Sequence, residues 1–190
     1  MLPQLFQHPA YAEDQPSAYT ILTLHCLHRG FTAGAILGLA SPLARSAITT
    51  ILRRPSLATP LPWTTRLVSS AATGSLGGTA FLAVAMMARM WGREEIEWQD
   101  RSWRILANPT QNREDDWSAG GLIIGALALG LTSRRGAGLG LPLGRASLGG
   151  AAVGSILGTV GHVLTSSRSV DDVEKKVVAG EGPLASKETR

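Results

Sequence analysis

Long charge-free runs dominate the pattern of this chain. Residues 30–44 carry no charge, and after Arg45 apolar character resumes through residue 52. Residues 67–88, 117–133 and 146–167 are likewise uncharged. A bilayer core of roughly 30 Å needs about 20 helical residues, with a range of about 17–25. The pattern therefore predicts an all-α integral membrane protein with four transmembrane helices, near 28–50, 67–89, 117–133 and 146–167. The first and third are the marginal fits, since Arg45 interrupts the first and the third is only about 17 residues long. A transmembrane domain over 20–167 follows, with an N-terminal segment 1–19, a polar segment 90–116 and a C-terminal tail 168–190. The tail mixes acids and bases and is expected in water. Pro42 is expected to kink the first span or mark its end.

Within the spans, small residues recur every four positions. Gly30, Gly34 and Gly38 form one set; Ser70, Gly74 and Gly78 form another. The third span holds Gly121 and Gly125, with Ala126 and Gly130 on an adjoining track. The fourth holds Ala146, Gly150, Gly154 and Gly158. Steps of four put each set on one helix face. Glycine inside a helix costs about 0.5–1 kcal/mol relative to Ala, so repeated glycines need a compensation. In lipid that compensation is close approach of helix axes, because lipid tails are as apolar as Leu and van der Waals packing drives association. All four spans are expected to pack through their glycine faces.

The loops set an orientation. Arg45, Arg53, Arg54 and Arg66 separate the first two spans, and Arg134, Arg135 and Arg145 the last two, with no acid in either loop. The middle segment has seven acids against five arginines over residues 89–116. The positive-inside rule places both basic loops on one side. Both termini and the middle segment then fall on the other. Arg45, Arg53, Arg54, Arg134, Arg135 and Arg145 are also candidates for lipid headgroups.

The middle segment collects Trp91, Trp98 and Trp103 and ends against Trp117, and tryptophans concentrate at membrane interfaces. "EEIEWQDRSWRIL" predicts a surface helix with Ile96, Trp103 and Leu106 facing the membrane, ended by Asn108 and Pro109. Trp98, Trp103, Asp115, Asp116 and Trp117 are candidate docking residues for neighbours. Glu114, Asp115 and Asp116 are expected at the start of the third helix, where acids complement the macrodipole by about 0.3–1 kcal/mol.

Composition narrows the classes. The mean hydropathy of +0.10 leaves a soluble helical bundle as the alternative. A formal charge of +4 raises nucleic acid as a partner, but the basic residues form no stripe and sit between apolar runs. Cys26 is the only cysteine, so no intramolecular disulfide forms. No Arg or Lys precedes Arg29, so neither a secretory signal nor an Arg-rich transit peptide is expected.

Catalytic and metal chemistry find little footing. His25, Cys26 and His28 lie close together, but a metal site normally needs three or four ligands; boundary polar residues are the reading preferred. "GAGLGLPLG" at 136–144 lacks the Lys followed by Ser or Thr of a phosphate loop and reads as a turn. His162 is an ionisable residue inside the fourth span, a functional candidate by default, or a hydrogen-bonding partner for another helix. No catalytic, cofactor-binding or metal residues are assigned.

One stretch carries a family likeness. "NREDDWSAGGLIIGALALGLTSRRG" (112–136) resembles the Tim-type superfamily of mitochondrial inner-membrane translocases, with its acidic turn, glycine-laced span and Arg–Gly exit. "HRGFTAGAILGLASPLAR" (28–45) resembles one branch, the translocase-related accessory subunit of respiratory complex I, NADH:ubiquinone oxidoreductase. "EIEWQDRSWRILANPTQN" (95–112) is similar to the insertion in fungal forms of that subunit. The resemblance implies the four-span Tim-type fold, internal targeting signals, basic loops in the matrix and termini in the intermembrane space. It implies a non-catalytic role in assembly and stability of the complex I membrane arm. Its partners would be membrane-arm subunits, phospholipids such as cardiolipin, and another respiratory complex. The rival expectation is a subunit of a protein-import translocase, which should expose acids at membrane depth; none lies within the four proposed spans.

Overall fold

The computed structural model describes residues 5–51, 62–135 and 139–178, and every regular element among them is helical. After a single 3-10 turn at Ala12–Asp14 come α1 (Ala18–Ile51), α2 (Trp63–Met90), α3 (Glu95–Ala107), α4 (Pro109–Arg134) and α5 (Leu143–Val178). Three helices are long and apolar enough to cross a membrane: Ala18–Ile48 of α1, all of α2, and Leu143–Ser167 of α5. The charge-free part of α4 is bounded by Asp116 and Arg134. At 1.5 Å per residue it is about 25 Å long, short of a full hydrocarbon core.

Helix limits differ from the sequence expectation in several places. α1 begins at Ala18, ten residues before the expected start of the span at 28, because His25, Cys26, His28 and Arg29 find partners or cover within the fold. It also passes through Pro42 to Ile51. Proline lacks the N–H that would reach the Gly38 carbonyl, and the Ser41 hydroxyl donates to that carbonyl instead, at 3.0 Å.

α4 begins at Pro109, so Glu114, Asp115 and Asp116 lie in its second turn and do not cap it. The cap is Asn108, which also closes α3. Its Oδ1 accepts from the Gln111 backbone N–H at 3.2 Å. Asn108→Ala should cost about 0.5–2 kcal/mol, read as a lower thermal midpoint in mild detergent, while Asn108→Asp keeps the acceptor and the midpoint. Finally, α5 continues to Val178, so the first part of the expected tail is helical.

The helices form two antiparallel hairpins, α1 with α2 and α4 with α5. The hairpins meet through α2 and α5, with α1 also touching α5. The shared core is made of small residues. Ala35, Ala71 and Ala152 are fully buried, with Phe31, Leu39, Val153 and Ile156 packed around them. Ser75 and Ser155 are also fully buried, and each hydroxyl donates to a carbonyl of its own helix, Ala72 and Ala152, at 2.9 Å. A serine satisfied in this way is small, neutral and costs little inside.

The hairpins are copies of one plan. "AATGSLGGT" (71–79) in α2 and "AAVGSILGT" (151–159) in α5 match at six of nine positions. The threonines closing each motif donate to the same serine carbonyl, Thr79 to Ser75 and Thr159 to Ser155. The two motifs also use the same faces against their partner helices.

Outward faces of the helices are apolar. Leu37, Leu76, Phe81, Val84, Ile124, Leu127, Leu157 and Leu164 are all exposed. A water-soluble monomer rarely shows contiguous apolar patches on this scale, so the exposed surface suits hydrocarbon and a multi-pass membrane protein.

Candidate functional site

The glycines expected on packing faces lie on two seams. In the first hairpin, Gly30, Gly34 and Gly38 of α1 oppose Gly78, Gly74 and Ser70 of α2. A Cβ on Gly30 would lie 2.7 Å from the Gly78 oxygen, and one on Gly34 would overlap the Gly74 oxygen and sit 2.8 Å from the Gly78 Cα. The relation is reciprocal, since a Cβ on Gly78 would be 2.6 Å from the Gly34 Cα. The glycine hydrogen that takes the Cβ position points at a carbonyl. That is the Cα–H···O contact of close helix pairs, worth perhaps 0.5–1 kcal/mol each.

The second hairpin repeats the seam. Gly121 opposes Gly154, Gly125 opposes Gly150, and Gly158 packs on the Trp117 carbonyl with Ser118 Cα beside it. Gly130 is buried as well, but a Cβ there would meet the Ser147 hydroxyl rather than backbone. Gly77 and Gly120 lie off the seams and face open space.

An ionic cluster ties α1 to α4 near the acidic end. Arg29 holds Glu114 with both guanidinium nitrogens, at 2.6 and 3.2 Å. Its Nη2 also lies 3.0 Å from Asp115 Oδ1, an ion pair out of hydrogen-bond alignment. His25 Nδ1 is 3.0 Å from Asp115 Oδ2, and His25 Nε2 is 2.8 Å from Gln111 Nε2. One turn further in, the hydroxyls of Thr32 and Ser118 are 3.3 Å apart. Asp115, a docking candidate by sequence, is thus buried against its own chain. Helical spacing explains the convergence: His25, Arg29 and Thr32 share one face of α1, as Gln111, Asp115 and Ser118 do on α4.

The tryptophans of α3 hold the N-terminal segment. Trp103 donates its indole N–H to the Pro9 carbonyl at 3.0 Å and stacks on His8, with ring centroids 5.0 Å apart. Trp98 meets Tyr19 at 4.6 Å, and Leu106 is buried. The face of α3 expected on the membrane is therefore largely covered by protein; only Ile96 of the three stays exposed. Trp117 is partly exposed, its ring near Gly161. Asp116 is half-buried.

Described residues beside the basic loops frame a cavity. A space of about 680 Å³ opens between residues 41–45 of α1 and the starts of α2 and α5. Arg45, Arg66 and Arg145 line it, with Ser41, Thr64, Thr65, Ser69 and Ser70 among its walls. The structure thus gathers Arg45 and Arg145 from the expected lipid-binding set and adds Arg66. Arg134 and Arg135 lie exposed outside this cavity, and Arg53 and Arg54 fall outside the described residues.

No group of three or more His, Cys, Asp or Glu suited to a metal occurs among the described residues. Cys26 is half-buried, and His162 is buried, with Nδ1 3.3 Å from the Ser166 hydroxyl. Sequence reasoning missed the pairing of His25 and Arg29 with α4, and the cavity. The match between residues 71–79 and 151–159 was the available signal for the hairpin repeat. Comparison with family models, curated proteins and solved structures gave no match.

Proposed function

We propose that this chain is a non-catalytic accessory subunit of the membrane arm of mitochondrial NADH:ubiquinone oxidoreductase, a compact helical block that supports assembly and stability. The observation carrying the reading is the combination of backbone-to-backbone glycine seams inside with exposed large apolar side chains outside. Such a block is stiff within itself and presents an apolar surface to larger membrane helices and lipid. The sequence likeness at 28–45 and 95–136 supplies the choice of complex.

α4 acts as the fourth span in this proposal. It pairs with α5 along the Gly121–Gly154 seam, and Ile123, Ile124, Leu127 and Leu131 are exposed on its outer side. Its short apolar length would be met by local thinning of the bilayer, at fractions of a kcal/mol per Å. The Tim-type arrangement follows, with basic loops in the matrix and both termini and α3 in the intermembrane space. There α3 and Trp117 offer docking surface for membrane-arm subunits and another respiratory complex, and cardiolipin is a natural lipid partner.

Two measurements test this. Alkaline carbonate should leave the protein in the membrane pellet; release into the supernatant removes the premise. On native gels of mild-detergent mitochondrial extract, the protein should comigrate with NADH dehydrogenase activity. Comigration with an import translocase, without that activity, would give the role to protein import instead.

A further inference from the structure

The cavity at the basic end has the makings of an anion site. Three arginines from three different helices converge on it, and no acid lines it among the described residues. None can come from the neighbouring sequence, because the chain holds no Asp or Glu between Asp14 and Glu94 or between Asp116 and Asp171. Arg66 lies over the Trp63 ring at 5.7 Å, and Arg145 donates to the Thr73 hydroxyl at 3.2 Å. Both of these partners are neutral, so neither contact cancels the positive charge.

The helix starts add to the field. α2 begins at Trp63 behind Pro62, which offers no side-chain cap. The first intrahelical bond there is Arg66 N–H to the Pro62 carbonyl, so the earlier N–H groups have no acceptor within the helix. Pro142 stands in the same relation to Ala146 at the start of α5. Helix N-termini carry partial positive charge. Two of them, three guanidinium forks and several hydroxyls around one space match the oxygens of a phosphate group. The volume lies within the usual range of small-ligand pockets, about 300–1,000 Å³.

We propose that this cavity binds the phosphate group of an anionic ligand, with Arg45, Arg66 and Arg145 as its charged walls and Ser69 on its rim. Its place at the ends of three apolar helices favours a phospholipid headgroup over a free phosphate. The inference rests on the membrane placement of the helices and is independent of which complex the protein joins.

The test uses the full-length protein purified in mild detergent. Phosphatidylglycerol, cardiolipin, phosphatidylcholine or inorganic phosphate is added, and bound ligand is read by native mass spectrometry. Anionic lipid should bind and phosphatidylcholine should not. Arg66→Gln and Arg145→Gln should each weaken binding about tenfold, the loss of one charge-assisted contact. Ser69→Leu, which fills the space and keeps all three arginines, should weaken it similarly and guards against a charge variant that misfolds. Arg134→Gln with Arg135→Gln removes charge outside the cavity and should leave binding unchanged.

Inorganic phosphate binding with the same Arg66 and Arg145 dependence, and no lipid binding, would keep the phosphate site and assign it to a soluble ligand. Equal losses from cavity and outside variants, or equal binding of phosphatidylcholine, would overturn the proposal. Because no respiratory complex is present, a failure here is separate from a failure of the native-gel experiment.

Discussion

Gly34→Leu is expected to pull α1 away from α2, while Gly77→Ala leaves the hairpin standing. A Cβ at Gly34 falls on the Gly74 carbonyl and close to the Gly78 Cα. Those atoms are backbone in the middle of a helix and have no rotamer through which to yield. Overpacking by extra methylenes usually costs about 1–3 kcal/mol and sometimes more. Gly34→Ala should sit within that range, and Gly34→Leu should exceed it because the axes must separate. Gly125→Leu should do the same to the second hairpin, where Gly150 stands opposite. Gly77 and Gly120 meet nothing within reach, so Ala at either should raise stability by about 0.5–1 kcal/mol through helix propensity alone. Thermal midpoints in mild detergent decide the matter. The seam is the wrong contact if Gly34→Ala and Gly77→Ala move the midpoint in the same direction.

The ionic cluster supports the second large effect. Arg29→Met removes the cation that faces both Glu114 and Asp115. Breaking a buried pair by removing one partner typically costs about 3–5 kcal/mol. The lower end applies here, since the Arg29 and Glu114 side chains keep 28% and 29% of their exposure and are partly screened. Asp115 dominates, with a side chain only 8% exposed. Arg29→Met should therefore loosen α1 from α4, seen as faster proteolysis within 109–116 and a lower midpoint. Adding Glu114→Leu and Asp115→Leu should restore much of the loss, because apolar replacement of a whole buried ionic group is often neutral or stabilising. A single Arg29→Met variant as stable as the parent would mean that water already solvates these charges and that they do not clamp the hairpins.

Much of the plan is legible along the chain. The four-residue glycine steps point to faces that admit another helix closely, since a period of four maps to one side of an α-helix whatever its surroundings. Three charge-free runs fall within helices of membrane-crossing length. The arginine pairs flanking the basic loops are equally visible. The start of α4 was less so: Pro109 reads as a stop for the preceding helix, yet proline is also well suited to the first helical turn. With Asn108 to cap it, the same residues end one helix and begin the next.

Other features depend on long-range approach. No local rule pairs His25 and Arg29 with Glu114 and Asp115, some 85–90 positions away in sequence. The two seams place those side chains together only after both hairpins have closed. Trp98 and Trp103 read as interfacial tryptophans because indole suits that zone, but the first turn of α1 and the segment before it lie near enough to take their contacts. The cavity of Arg45, Arg66 and Arg145 likewise exists only where three helix ends meet. The order along the chain set the cores of the long helices, which of their faces are bare, and where charge is absent, because these are properties of neighbouring residues. Tertiary structure alone decided which bare face meets which, and which charges are neutralised. Those outcomes depend on distances between segments far apart in the chain, and the packing of two similar hairpins sets those distances.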